Sequence, residues 1–354
     1  MTLQLDDYRL LGRSGLRVSP LCLGTMTFGL QAGWGSEDAE ARAMVDRYVD
    51  LGGNFIDTAN FYGGGGAERV LAQSIEGRRE QLVIATKYSL IMRAGDPNAC
   101  GNHRKNLVQS VEDSLRRLGT DYIDLMYLHV WDDLTPVDEI LRAFDDLVRA
   151  GKLLYVGISD TPAWQIARMQ AIAELRGWAP LIAVQIPYNL TQRTVEREYM
   201  GMAREMGLGV LPWSPLAGGV LSGKYSAADL ETSGQGMDSR KAINLATGRL
   251  TPRALEIAGV VDAIAAETGR SSAQIALAWT LLNPSVTAPI IGARTLAQMQ
   301  DNLAALDVEL DDDQRGRLDT VSRIESCFPY DMLGPAAAAR MFGGIKIARH
   351  GSAN

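Results

Sequence analysis

Eight short apolar runs recur along this chain, each followed by a longer stretch of helical pattern, and this alternation constrains the fold more than any other feature. The runs fall near residues 21–24, 54–57, 82–86, 122–128, 154–158, 182–185, 209–212 and 289–291. Most are near-continuous Val, Ile and Leu, as expected of parallel strands covered on both faces. Between them, residues 37–51 place Ala41, Met44, Val45, Tyr48 and Leu51 on one helical stripe. Residues 105–118 do the same with Leu107, Val111, Leu115 and Leu118. Gly119 and Gly151 stop two of these helices. Thr161-Pro162 reads as an N-cap followed by proline in the first turn of another.

Strands alternating with helices predict right-handed βαβ units and a parallel sheet. Eight units favour a closed barrel over an open sheet. The first strand runs into Gly24-Thr25-Met26-Thr27, not the G-x-G-x-x-G turn that open dinucleotide-binding sheets carry. The 354 residues suffice for one barrel of about 250 residues with additions. The expected fold is therefore α/β, a single (β/α)8 TIM barrel spanning residues 1–354. Residues 1–20 hold a small hairpin, around Arg13-Ser14-Gly15, that plugs the bottom. Residues 21–322 form the barrel, with a long loop at 217–251. Residues 323–354 form a C-terminal extension, and lid, oligomer contact and brace all stay open for it.

The formal net charge of −7 argues against a nucleic-acid or anionic-membrane partner, which would favour a basic face. Cys22, Cys100 and Cys327 are far apart and odd in number. They read as neither a disulfide framework nor a metal site, and a reducing cytoplasm fits them. Residues 1–10 carry Asp6 and Asp7 and read as no signal peptide. No run approaches the ~18 apolar residues of a membrane span.

Barrel active sites collect at the carboxyl ends of the strands, so titratable groups there carry the most information. The second run ends in Asp57, with Tyr62 shortly after; the third ends in Lys87 and the fourth in His129. Alone, each has an ordinary reading. Asp57 can cap a turn, Tyr62 can be a loop tyrosine beside the glycines 63–66, Lys87 a solvated charge and His129 a core histidine. Together they make chemical sense. Delivering hydride to a carbonyl leaves an oxyanion that needs a proton. A phenol near pKa ~10 is poorly matched to that task at neutral pH, and a nearby ammonium lowers its pKa. Lys87 can supply the ammonium, Asp57 can orient Lys87, and His129 can hydrogen-bond the substrate oxygen. His103 and His350 lie far from His129 and off the strand ends, which leaves a metal site without support.

The segment Phe55-Ile56-Asp57-Thr58-Ala59-Asn60-Phe61-Tyr62 resembles the Asp-Thr-Ala-x-x-Tyr signature of the aldo-keto reductase superfamily. Asp57, Tyr62, Lys87 and His129 match its catalytic tetrad, and Tyr122-Ile123-Asp124-Leu125 and Val156-Gly157-Ile158-Ser159 are similar to its fourth and fifth strands. The likeness runs from about Tyr8 to Ser322. It points to the bacterial reductases related to voltage-gated potassium channel β subunits.

The resemblance implies an enzyme that reduces an aldehyde or ketone reversibly, with NADPH/NADP bound extended across the barrel mouth. The implied cofactor residues begin with Gly24, Thr25, Met26 and Asp57 near the first strands. Ser159, Gln185 and Asn189 match residues around the nicotinamide carboxamide. Trp213, Ser214, Pro215 and Leu216 match the segment beneath the ring. Gly218, Gly219 and Lys224 match a loop around the pyrophosphate. Gly292, Arg294, Gln298, Asp301 and Asn302 match the adenosine-phosphate segment, with Arg240 as a second clamp. The expected substrate pocket is lined by Met26, Tyr62, Tyr88, His129 and Trp131, with a small carbonyl compound as partner and a homo-oligomer left open. Similar reductases act on simple aldehydes, keto sugars and polycyclic ketones, and the sequence does not choose among them. An NADPH-binding regulatory or sensor subunit, like the channel β subunits, is the other reading. Retention of His129 favours the enzyme.

Overall fold

The eight apolar runs become eight parallel strands in the computed structural model, which describes residues 3–30, 35–230 and 240–345. An antiparallel hairpin comes first, pairing β1 (Arg9–Leu10) with β2 (Arg17–Val18). The barrel strands follow as β3 (Cys22–Gly24), β4 (Phe55–Asp57), β5 (Val83–Tyr88), β6 (Ile123–Leu128), β7 (Leu153–Ser159), β8 (Leu181–Pro187), β9 (Gly209–Trp213) and β10 (Ile290–Gly292). Their order in the sheet is β10-β3-β4-β5-β6-β7-β8-β9. The seam between β9 and β10 is nearly closed: Val210 pairs with Val286, and the Thr287 N–H donates to the Val210 carbonyl at 2.8 Å. The fold expectation holds.

Helices separate the strands because each carries an apolar stripe. The first three are α1 (Asp38–Asp50), α2 (Gly66–Ile75) and α3 (Arg104–Leu118). α4 (Val137–Arg149), α5 (Ala163–Arg176) and α6 (Tyr199–Met206) follow, then α7 (Arg240–Ala246), α8 (Pro252–Thr268) and α9 (Ser272–Leu281). α10 (Leu296–Leu303) and α11 (Asp312–Val321) complete the ring. Ala41, Met44, Val45 and Tyr48 of α1 are buried as the spacing predicts. Leu51 is not: it is 38% exposed, because α1 ends one residue earlier and Leu51 falls on its cap. Thr161 does not cap α5 either. Its hydroxyl turns back to the Ser159 carbonyl at 2.7 Å, and Pro162 holds the cap position.

Alternation along the strands decides what faces the barrel interior. Cys22, Phe55, Val83, Ala85, Leu125, Tyr127, Ala183, Leu211 and Ile290 form one inner cluster. Ile56, Ile84, Tyr88, Met126, Leu128 and Val184 pack outward against the helices. Leu11 and Val18 of the hairpin join the inner cluster, and the Arg13 N–H donates to the Gly207 carbonyl at 2.7 Å. The hairpin thus covers the amino ends of the strands. Gly157 makes room for Tyr127 inside the barrel, since a Cβ there would lie 2.5 Å from the phenol ring.

Residues 217–251 contain two short 3-10 turns, Ala217–Ser222 and Ala227–Leu230, followed by α7, and residues 231–239 lie outside the described residues. Residues 1–322 form one compact unit and residues 323–354 a second. The second contains a 3-10 turn, Tyr330–Met332, and α12 (Pro335–Phe342), which Gly343 ends in the left-handed region. No helix of the described residues is long and apolar enough to cross a membrane.

Candidate active site

Inward parity continues past the hydrophobic layers to the carboxyl ends of the strands. Phe55 and Ala85 face the interior, so Asp57 and Lys87, two residues on, do too. At the top of the barrel the Lys87 ammonium is fully buried and ion-paired to Asp57 Oδ1. It also donates to the Thr58 carbonyl at 2.8 Å and to the Tyr62 hydroxyl at 3.3 Å. Gln185 of β8 donates to the other Asp57 oxygen at 2.8 Å. The His129 ring stands edge-on to Tyr62, with centroids 5.9 Å apart and planes at 82°. The four tetrad candidates are therefore one connected group.

Tyr62 reaches this group through an unusual turn. Gly63, Gly64 and Gly65 have φ of 56°, 60° and 87°, three successive left-handed residues that carry the chain into α2. Side chains at those positions would be strained.

The electrostatics follow from burial and neighbours. Burial alone would lower the Lys87 pKa, but the charges of Asp57 and Tyr62 and their hydrogen bonds together outweigh it and hold the ammonium above its ordinary value. Burial pushes the Tyr62 phenol up, and Lys87 pulls it down by less, so the net direction is upward. The expectation that Lys87 would bring Tyr62 down is thus met in the sign of its own effect and reversed in the sum. Burial and the Lys87 charge hold His129 down at about 3, so its imidazole is neutral at neutral pH. Its Nδ1 is buried without a partner among the described residues.

The expected cofactor residues lie around the same mouth. Ser214, Ala217, Gly218 and Gly219 all have positive φ, of 50°, 51°, 67° and 92°. Asn189 donates to the Ser214 carbonyl at 2.9 Å and Asn244 to the Gly218 carbonyl at 3.1 Å. Pro215 and Leu216 complete this turn. Ser159 and Gln185 sit opposite each other at the ends of β7 and β8. Gly24 pairs with Asp57 across β3 and β4, and the Thr25 hydroxyl is buried without a partner among the described residues.

Lys224 is depressed first by burial and then by the positive charges of Arg294 and Arg240. Neither Lys224 nor Arg294 has a carboxylate partner among the described residues. Around Gly292, Asn302 donates to its carbonyl at 3.3 Å and Gln298 accepts from the Arg294 N–H at 2.9 Å. Asp301 is already engaged, accepting from Ser271 at 2.9 Å and Gln274 at 2.7 Å, and so braces α9 against α10.

Among the expected pocket residues, Met26 is exposed and Trp131 half-buried beyond β6. Tyr88 lies elsewhere. It is fully buried on the outer face of β5, stacked edge-on with Phe144 and donating to the Asn102 carbonyl at 3.0 Å. Lys87 points inward, so its neighbour must point outward. His103 caps α3 by accepting from the Asn106 N–H at 3.2 Å, and His350 lies outside the described residues. The described residues contain no His, Cys, Asp or Glu group arranged to hold a metal.

Two residues at the mouth escaped the sequence reading. Asp160 follows Ser159 at the end of β7, and its carboxylate accepts from the Trp213 indole at 3.1 Å. Arg249 lies over the Trp213 ring, 5.7 Å from its centroid. A search of every strand end for acids would have found Asp160. Arg249 sits in the long loop, where no periodicity marks it.

An eight-stranded barrel with its polar groups gathered at the carboxyl ends of the strands defines the class. The aldo/keto reductase family model matches residues 20–323. An uncharacterized oxidoreductase of Bacillus subtilis is 41% identical over 319 residues, covering 86% of this chain and 92% of that one. A norsolorinic acid reductase of Emericella nidulans is 38% identical over 334 residues, covering 92% and 82%. An aryl-alcohol dehydrogenase [NADP(+)] of Phanerodontia chrysosporium is 33% identical over 335 residues, covering 90% and 86%. The chain belongs to the aldo/keto reductase family and is an oxidoreductase.

Proposed function

We propose that this chain reduces an aldehyde or ketone to the alcohol with NADPH, Tyr62 supplying the proton. The observation that carries the reading is the buried chain Asp57–Lys87–Tyr62, with a neutral His129 against the phenol. A proton donor must be protonated before it acts, and burial keeps Tyr62 so at neutral pH. Once the proton leaves, the phenolate lies beside an ammonium that Asp57 holds charged. That stabilisation is already in place and needs no rearrangement. Neutral His129 can donate a hydrogen bond to the substrate oxygen and orient it.

The residues at the mouth fit the cofactor. After burial, the charges of Arg294 and Arg240 lower the Lys224 pKa, and those of Arg249 and Arg294 lower that of Arg240, a gathering of positive charge that favours a polyanion. A Cβ at Gly219 would lie 2.5 Å from the Lys224 ammonium, so a glycine there keeps the backbone open beside that charge. Lys224, Arg240 and Arg294 would hold the phosphates, Ser159, Gln185 and Asn189 the carboxamide, and Trp213 the nicotinamide face. When bound, the reduced nicotinamide supplies the hydride. The printed name of the Phanerodontia relative agrees with an NADP cofactor. No observation favours a regulatory subunit without turnover. NADPH oxidation measured over a panel of aldehydes and ketones tests the reading, and binding of NADPH with no turnover on any of them would overturn it.

A further inference from the structure

The turn that carries Tyr62 is tied to β5 at its start by backbone alone. The Thr58 N–H donates to the Ala85 carbonyl at 2.8 Å, and the Asn60 N–H to the Lys87 carbonyl at 3.2 Å. Past Tyr62 the chain runs through the left-handed glycines 63–65 into α2. Glycines offer no side chain to fix such a turn and lose the most freedom when it is fixed. The first polar side chain beyond them is Glu68, which is fully buried. Its Oε1 accepts from the Thr86 hydroxyl at 2.7 Å and its Oε2 from Arg117 Nε of α3 at 2.5 Å. Thr86 is the residue before Lys87, and alternation turns it to the opposite face of β5. Arg117 in turn fills the space beside the last glycine of the turn: a Cβ on Gly65 would lie 2.7 Å from Arg117 Cδ and 2.8 Å from its Nε. One carboxylate therefore joins the strand that bears Lys87 to the far end of the turn that bears Tyr62. A buried ion pair adds little net stability, and apolar residues of similar volume often serve as well, so stability alone gives no reason for a charge at this point.

We propose that Glu68 is a positioning residue that, through Thr86 and Arg117, sets the separation of the Tyr62 hydroxyl from the Lys87 ammonium, 3.3 Å here, and with it the ease of proton transfer. The proposal rests on the reductase reading above. Loosening the link should let the phenol drift from the ammonium. The reaction then slows, while the binding of NADPH and substrate, which Glu68 does not touch, stays as it was.

Thr86→Val removes the hydroxyl, keeps its shape and leaves the Glu68–Arg117 pair in place. With benzaldehyde and NADPH its kcat should fall roughly 10- to 100-fold, the scale of a small misplacement transmitted from outside the site, with KM and the NADPH dissociation constant close to wild type. Thr86→Ser, which keeps the hydroxyl, should restore kcat. Glu68→Gln should lose at least as much as Thr86→Val; if it is too unstable to purify, Thr86→Val carries the test alone. The alkaline limb of kcat, where Tyr62 loses its proton, should move to higher pH in Thr86→Val, because Lys87 pulls the phenol down by less from farther away. In a Tyr62→Phe background Thr86→Val should cost nothing further, since both act on one step. A purely structural brace would lower Tm, leave the limb where it is and cost the same in both backgrounds. An unchanged kcat in Thr86→Val, an unmoved limb, or an equal loss in Tyr62→Phe overturns the proposal. If the wild type reduces no carbonyl, the reductase reading fails. Glu68 is then judged by ultraviolet titration of Tyr62, read as the difference from Tyr62→Phe. An upward shift in Thr86→Val but not in Thr86→Ser supports its positioning role, and no shift overturns it.

Discussion

The two ends of the proposed cofactor path are built differently. At the proton-transfer end, Asp57, Lys87 and Gln185 stand on adjacent or facing strands, buried, with the Lys87 ammonium and both Asp57 oxygens partnered. At the phosphate end, Lys224, Arg240 and Arg294 stand on loops and helix starts, partly exposed, and face one another without a carboxylate to neutralise Lys224 or Arg294 among the described residues. A rigid sheet suits a step that depends on atoms a few tenths of an ångström apart. Loop-borne cations suit a ligand that must enter and leave. Breaking one end should therefore abolish chemistry and spare binding, and breaking the other should do the reverse.

The largest effect belongs to Tyr62→Phe. It should lower kcat by about 10²–10⁴-fold, the usual range for losing a general acid, with NADPH affinity close to wild type by fluorescence titration. A near-native kcat would remove Tyr62 from the mechanism. Lys87→Met should lower kcat comparably, and the double variant should be little worse than either, because the groups act as a unit. It should also destabilise the fold, by about 3–5 kcal/mol, since Asp57 is left buried and unpaired. Melting curves would separate that loss from the catalytic one.

At the other end, Arg294→Ala should weaken NADPH by roughly 10- to 100-fold, the value of a charged hydrogen bond, and leave NADH nearly unchanged. Equal losses for both would show that Arg294 grips something other than the ribose phosphate. The smallest effect is a pH dependence that comes from the proton-transfer end alone. His129 titrates at about 3 when folded, against about 6.5 for an unfolded histidine. On acidification the unfolded chain takes up its proton first, so stability is lost as pH falls from 6.5 toward 3, by about 1.4 kcal/mol per unit at most. His129→Asn should melt less steeply with falling pH over that range, by about 2 °C per pH unit at most, since 1 kcal/mol moves Tm by roughly 1.3 °C in a chain of 354 residues. Identical slopes would mean that His129 carries no such penalty.

Much of this arrangement was legible before any coordinates. The strand runs and the strand-end acid, phenol, amine and imidazole can be read because buried parallel strands are written in continuous apolar residues, and the first polar residue after each marks the mouth. Tyr88 is expected at the pocket as the start of a loop, yet it is the last residue of β5, and period-two alternation turns it to the face opposite Lys87. Thr161 looked like a cap, yet a hydroxyl that finds a carbonyl two residues back has no reason to reach forward. The upward direction of the Tyr62 pKa was not legible, because it depends on how completely the phenol is buried, which no spacing reveals.

Gly157 has a consequence for how protons travel. Its missing side chain lets Tyr127 lie across the barrel below the ion pair, with its ring 5.9 Å from the Lys87 ammonium. Beneath Tyr127 come Leu125, Phe55 and Val83, then the hairpin's Leu11 and Val18. Of these residues only Tyr127 carries a hydroxyl, and it has no partner among the described residues, so the column offers no continuous polar relay and the site has a sealed floor. In the proposed mechanism every proton that Tyr62 gives up would be replaced from the mouth, along the path that substrate and product share, and reprotonation would be tied to the emptying of the pocket.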